Sequence, residues 1–240
     1  MAMTYSTSMV ELSAETSARV LDLLNDPQRS KRRALPVDWG QQEDAALLET
    51  LGLLTESGAF TSLGWKVAGI VRNPLGRISL NGLGFSSARS FELFLGSELA
   101  VVFSSAPPGT PQEVVEPGSR FFAVTGLERS LMHLTGWLNI SPRPEYQLSA
   151  TRVRWDELCR RIESNVAPLP LGVPTEANQP WRVILLEHDK GPEGGEMIID
   201  AGSAGWWSAE RDGEQANLSP QDSLGLFTAL HGLWRSYLRQ

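Results

Sequence analysis

Cysteine is nearly absent from this 240-residue chain, with Cys159 the single example. A lone thiol excludes an intrachain disulfide and any zinc site built from cysteine pairs. Histidine is scarce as well, at three residues, and no paired-histidine zinc motif or Gly-rich loop ending in Lys-Ser/Thr occurs. No cofactor, metal or catalytic set is therefore expected. Basic charge is in deficit, since 21 Lys and Arg face 28 Asp and Glu for a net charge of −7. Phosphate contact needs a basic face, so nucleic acid is not the expected partner. No stretch reaches the ~18 consecutive apolar residues of a membrane helix. The opening eight residues hold neither a basic residue nor an apolar signal core, and the expected location is the cytosol.

What is present reads as an ordinary globular chain, 41% hydrophobic and 20% charged, organised around its last third. Trp181 to Leu186 is apolar on both faces and reads as a central strand with cover above and below. Met197-Ile198-Ile199 and Trp206 to Glu210 follow as strands separated by glycine turns. Asp212-Gly213 marks a type I′ hairpin. The chain returns through Gln215 to Leu218 and enters a helix, with Ser219 as cap and Pro220 as its first residue. Leu224, Phe227, Leu230, Trp234 and Leu238 are expected to form that helix's buried stripe.

The first half repeats the theme after a helical start. Val10-Glu11-Leu12 is extended, Ser13 caps a helix that ends before Pro27, and Arg29, Lys31, Arg32 and Arg33 fall in a loop. A second helix spans about Gln41 to Leu54, and Thr61 caps a third that ends at Asn73-Pro74. This 41–75 segment has the order of a winged-helix DNA-binding element, which supports an alternative reading as a transcriptional regulator. Against it stands the charge of its first helix, which carries Glu43, Asp44 and Glu49 and no Lys or Arg. Strands are then expected at Ile78–Leu80, Ser90–Leu95, Leu99–Phe103 and Arg120–Val124, joined too closely for helical crossovers and so mainly antiparallel. Thr125 and Glu128 have the spacing of a capping box opening a helix that carries Leu131, Leu134, Trp137 and Leu138.

Phe121 to Leu138 and Ala216 to Trp234 share an order of strand, polar cap, acid, Ser-Leu and aliphatic helix with a tryptophan near its end. Ser130-Leu131 matches Ser223-Leu224 after one insertion. The expectation is an internal duplication, with halves at approximately 1–140 and 150–240. Between them lies Ser141-Pro142-Arg143-Pro144, followed by a helix from about Arg154 to Ser164 and a proline-rich connector over 165–180.

Candidate chemistry is thin. His188, Asp189 and Asp200 approach one another only if strands 181–188 and 196–200 pair, and they lack a nucleophile or a further ligand. Cys159, flanked by Arg160 and Arg161, reads as a structural thiol. Binding is better served. Strand alternation puts Trp206 on the polar face with Ser208 and Glu210, while Trp207 points to the core; Phe94 shares a face with Glu92. An aromatic on a polar face is either covered by another layer of the same chain or kept for a partner. Trp206, Phe94, Glu92 and Glu210 are the candidate partner-binding residues.

Three stretches carry a resemblance: LGLLTESGAFTSLGWKVAGIVRNP after a short strand and helix, GLERSLMHLTGWLNISPRPE after a β-meander, and GGEMIIDAGSAGWWSAERDGEQANLSPQDSLGLFTALHGLW at the close. In this order they resemble the EspG family of actinobacterial type VII (ESX) secretion chaperones. The resemblance covers nearly the whole chain as an order of elements. It implies an α+β fold, a mainly antiparallel sheet with flanking helical bundles, and two related halves in a quasi-twofold arrangement. It also implies a non-catalytic cytosolic adaptor for a secreted helical partner, either a PE–PPE heterodimer or a WxG-type hairpin. The chain is somewhat short for the mycobacterial members, which bears on the partner's identity.

Overall fold

A computed structural model describes residues 9–25, 42–83, 89–109, 120–143, 149–163, 181–190, 195–202 and 205–239. The cluster at 29–33 and the 165–180 connector lie outside the described residues. In chain order the elements are β1 (Val10–Leu12), α1 (Ala14–Asn25), α2 (Gln42–Thr50), α3 (Ser62–Arg72), β2 (Gly76–Leu83), β3 (Arg89–Leu95), β4 (Leu99–Ser104) and β5 (Arg120–Gly126). There follow α4 (Leu127–Leu138), β6 (Thr151–Arg154), α5 (Trp155–Glu163), β7 (Arg182–His188), β8 (Glu196–Asp200), β9 (Trp206–Asp212), β10 (Gln215–Gln221) and α6 (Ser223–Leu238). The fold is α+β, and its antiparallel sheet runs β1-β5-β4-β3-β2-β7-β8-β9-β10-β6.

The connectivity repeats. Reading inward from β1 gives the first, fifth, fourth, third and second strands of the first half; reading inward from β6 gives the same order for the second. Each set is a strand, helical matter, a four-strand meander and a closing helix. The element-level repeat expected from sequence is therefore present as topology. The letter-level match is not. Ser130 is the fourth residue of α4, fully buried and donating to the Leu127 carbonyl at 2.6 Å, whereas Ser223 opens α6.

The chain divides into two compact units, Met1–Arg77 with Leu93–Leu134, and Ile78–Glu92 with Thr135–Gln240. In the first, Val20 and Leu24 of α1, Leu48 of α2 and Val67 and Val71 of α3 pack with Val101, Phe103 and Phe122 of the sheet. Ser13 caps α1 as its sequence demands, accepting the Thr16 amide at 3.0 Å. α2 stops at Thr50, short of the expected Leu54, because Gly52 turns the chain with φ of 71°. Leu54 then bridges to Phe60, and Thr61 caps α3 by accepting the Gly64 amide at 3.0 Å. β4 is buried along its whole length, which a strand covered on both faces requires.

The second unit gathers Leu158 of α5 with Trp181, Val183, Ile199, Trp207, Ala216 and Leu218. Trp207 is core, as alternation predicts. Two local expectations shift. The tight turn lies at Gly213-Glu214, one residue later than expected, since Gln215 pairs with Asp212. Only Gly213 has positive φ, at 60°, so glycine sits first, as in a type II′ turn rather than type I′. β10 runs on through Ser219 and Pro220 to Gln221, and the cap of α6 is Asp222, whose carboxylate accepts the Gly225 amide. Likewise Thr125 remains in β5 with its hydroxyl unpaired among the described residues, and α4 opens at Leu127 without the capping box. In both places strand pairing with a neighbour extends the ladder past the residues that local propensity assigns to the helix.

Candidate partner-binding surface

Trp206 does not stand open. It lies in β9 between Asp200 of β8 and Gln221 of β10, and only 1% of it is exposed. Its cover comes from 63 residues earlier in the chain, where the Arg143 guanidinium sits 4.1 Å above the indole centroid. Arg143 is held there by an ion pair with Asp200 and by donating to the Gly202 carbonyl at 2.8 Å. Asp200 in turn accepts the Gly202 amide at 2.9 Å. A guanidinium on a desolvated indole face contributes about 0.5–2 kcal/mol. Alternation placed Trp206 correctly on the polar face; it had no means of showing that the segment after α4 returns to roof it.

Phe94 is also buried, at 5% exposure, in the first unit's core. Phe103 meets it edge-on at 6.3 Å, and the Arg77 guanidinium lies 5.4 Å from its ring centroid. Glu92, on the same strand face, is half-buried. Of the four residues named from sequence, Glu210 alone is exposed. It belongs to a polar sheet face: Asn217 pairs with both Glu210 and Arg152, and Gln215 with both Asp212 and Arg154. Arg152 and Asp212 form an ion pair across these rungs. The reverse face of the same strands carries Ala209, Val153, Ala216 and Leu218 against the core. This end of the sheet therefore has one apolar, covered face and one polar, open face.

The large exposed apolar residues among those described are Trp65, Leu75, Met132, Leu224 and Phe227. The last two stand three positions apart on α6, where the sequence placed them inward. The residues α6 buries are Leu226, Leu230, Trp234 and Tyr237. At 100° per residue this turns the buried arc by about 65° from the expected stripe. Tyr237 explains the turn, because its ring is fully buried and its hydroxyl donates to Asp189. Burial and that bond raise the phenol's pKa well above its ordinary value. α6 is apolar around so much of its circumference that periodicity alone does not select the face.

The candidate chemistry disperses. β7 and β8 do pair, but Arg182 stands opposite Asp200, which leaves His188 at the other end of the pair. His188 lies 3.5 Å from Glu196, Asp189 serves Tyr237, and Asp200 serves Arg143. His133 is buried, and desolvation, with help from Arg129, lowers its pKa. The Cys159 thiol is pushed up, first by burial and then by Glu163, against a smaller opposing pull from Arg211. That is the reverse of an activated nucleophile. Among the described residues no three His, Cys, Asp or Glu side chains gather to hold a metal, and no described helix is long and apolar enough to cross a membrane. In the segment resembling a winged helix, Lys66 is paired with Glu98 and Arg72 donates to the Ala68 carbonyl within its own helix.

The solved structure of the Mycobacterium tuberculosis type VII secretion system chaperone EspG5, in complex with a PE25–PPE41 dimer, superposes with a TM-score of 0.50. The likeness covers 93% of this chain and 95% of EspG5 at 9% identity. The fold is EspG-like. At that identity the likeness speaks for architecture and not for shared residues. No protein-family model matches the sequence, and no curated protein matches it either.

Sequence reasoning missed β6, which closes the sheet beyond β10. Its four residues, Thr151-Arg152-Val153-Arg154, do alternate, and that was the available signal. It also missed the outward face of α6, for which the sequence carries no comparable sign.

Proposed function

We propose that this protein is a non-catalytic chaperone or adaptor that holds a secreted helical protein before export through a type VII system, acting in the cytosol. The observation that carries the reading is the EspG-like fold along nearly the whole chain, since the related structure is a chaperone bound to a PE–PPE dimer. The residue chemistry agrees with it: of the candidate groups, Asp189 is used by Tyr237, Asp200 by Arg143 and Lys66 by Glu98, and His133 is buried. The client is a helical heterodimer of PE–PPE type or a WxG-type hairpin. Glu210, on the open polar face of β9, β10 and β6, contributes to its rim. Trp206, under Arg143, supports that face from within.

The test is co-expression with each helical secreted pair or hairpin encoded in the same genome, followed by size-exclusion chromatography. A stable complex of defined stoichiometry with one of them, lost when Glu210→Lys is combined with Arg152→Glu, is the expected result. Failure of every such client to co-elute, together with salt-sensitive binding to random duplex DNA, would instead favour the regulator reading.

A further inference from the structure

We infer that the outward stripe of α6 docks one amphipathic helix of a partner protein, apolar where it meets Leu224 and Phe227 and acidic where it meets Arg235 and Arg239. This rests on the chaperone reading and narrows it to one helix face and one kind of partner surface.

Leu224 is 73% exposed and Phe227 38%, in a helix whose opposite side already supplies Leu226, Leu230, Trp234 and Tyr237 to the core. Leu224, Thr228, His231 and Arg235 recur at intervals of four, three and four, which places them on one line along the helix. Phe227 flanks that line and stacks on His231 at 6.1 Å, and His231 stacks on Trp234 at 5.9 Å. The apolar end of the stripe is thus a rigid aromatic shelf with an aliphatic side chain standing beside it. Helix-in-groove recognition uses anchors of this kind.

Charge decides what lies opposite. Arg235 and Arg239 are exposed, and neither has an ion-pair partner among the described residues. Lys190 adds a third cation, donating to the Ser236 carbonyl at 2.9 Å and lying 4.3 Å from the Tyr237 ring centroid. The carboxylate that faces this group, Asp189, is engaged by the Tyr237 hydroxyl. The Asp189 carboxylate and the roughly half-unit negative charge at the helix C-terminus together offset about half of the three cations. In a chain of net charge −7, this end of α6 runs against the overall sign and complements an acidic partner. From Leu224 to Arg235 the stripe is about 16 Å long, three helical turns, so a single short helix spans it.

The probe is a fluorescein-labelled 21-residue designed helix, with leucines at helical spacing in one half and glutamates on the same face in the other. A twin carries lysine in place of each glutamate. Anisotropy with the full chain at low ionic strength is expected to show the glutamate helix binding at least ten-fold more tightly than its twin. Leu224→Ser with Phe227→Ser should weaken it ten-fold or more, and Arg235→Glu with Arg239→Glu should reverse the preference between the two helices. Both pairs are exposed, and circular dichroism checks that each variant stays folded. Equal binding of the two helices, no binding of either, or indifference to the paired serine substitutions overturns the inference. A co-eluting client that binds the serine variant as well as the parent also overturns it and leaves the chaperone reading standing. Charge-selective peptide binding with no client at all would keep the stripe and sink the chaperone reading.

Discussion

Replacing Gly64 with alanine tests the closest approach in the first unit. Gly64 is buried at the third position of α3, and a Cβ built there would lie 2.1 Å from the Leu53 carbonyl oxygen and 2.8 Å from Phe60 Cδ1. That carbonyl cannot rotate aside, because it accepts the Thr61 amide at 3.0 Å while the Thr61 hydroxyl donates to Gly52 next door. Carbon and oxygen settle at about 3.3 Å or more, so the helix must retreat by about 1 Å. Such overpacking costs about 1–3 kcal/mol, and disturbing the Thr61 cap adds about 1 kcal/mol. Against this, alanine gains about 1 kcal/mol of helix propensity over glycine. The expected balance is a loss of about 1–3 kcal/mol. Gly69, on the same helix, supplies the control, since a Cβ there meets nothing within 4 Å. Gly69→Ala should stabilise by about 0.5–1 kcal/mol. Urea unfolding followed by circular dichroism at 222 nm reads both, with midpoints moving in opposite directions. A Gly64→Ala midpoint equal to or above the parent's would refute the close approach between α3 and the Leu53 backbone.

Three further outcomes follow from the same contacts. Arg143→Ala uncovers Trp206 and leaves Asp200 largely buried without its partner, a loss of about 3 kcal/mol; adding Asp200→Asn should recover part of it, and a single variant no less stable than the parent by urea unfolding would contradict the roof. Leu224→Ala on the outward face of α6 should change stability by less than about 0.5 kcal/mol, while Leu230→Ala on its inward face should cost about 2–5 kcal/mol; equal costs would mean that the helix is turned differently. His133 has its pKa lowered by burial, so the unfolded chain takes up the proton first as pH falls. Its contribution to stability is present above the unfolded value of about 6.5 and is lost below it. His133→Phe should therefore flatten the decline of the thermal midpoint between about pH 7 and pH 5, and an unchanged slope would show that the imidazole is not buried neutral.

The elements were legible wherever a local cause suffices. Ser13 and Thr61 cap as read because each side chain satisfies an amide three residues on. Within the apolar run from Trp181 to Leu186, Val183 to Leu186 are paired with a strand on either side, and Trp181 stands buried just before the strand. The failures share one physical form. Ser219, Pro220 and Thr125 have good helix-start chemistry, yet each lies in a strand whose partner keeps pairing past it, so the ladder outlasts the local preference. The site was less legible than the fold. Trp206 and Phe94 were judged from their own strands, and what covers Trp206 arrives from a residue 63 positions away. Glu210 needed only the alternation of β9, and its exposure was readable.

The same distinction bears on where recognition sits. A side chain placed on a polar strand face is available to a partner only if nothing later or earlier in the chain returns to cover it. At β9 Arg143 covers the Trp206 end, while Ser208 and Glu210 grade outward from half-buried to exposed. Covering an indole with a guanidinium and satisfying that guanidinium with Asp200 and Gly202 makes the end rigid. The open rungs beyond it then project from a fixed base, and the proposed docking on them would cost little side-chain or backbone ordering. α6 follows the same rule by another route. Its inward residues anchor it, Ser223 donates to the Ser141 carbonyl at 2.6 Å at one end, and Lys190 holds Ser236 at the other. A helix pinned at both ends and packed along one side can leave Leu224 and Phe227 in water without fraying. Apolar exposure on a loosely held helix would invite collapse or aggregation; on one this constrained, it is a preformed surface of the kind the proposed helix docking requires.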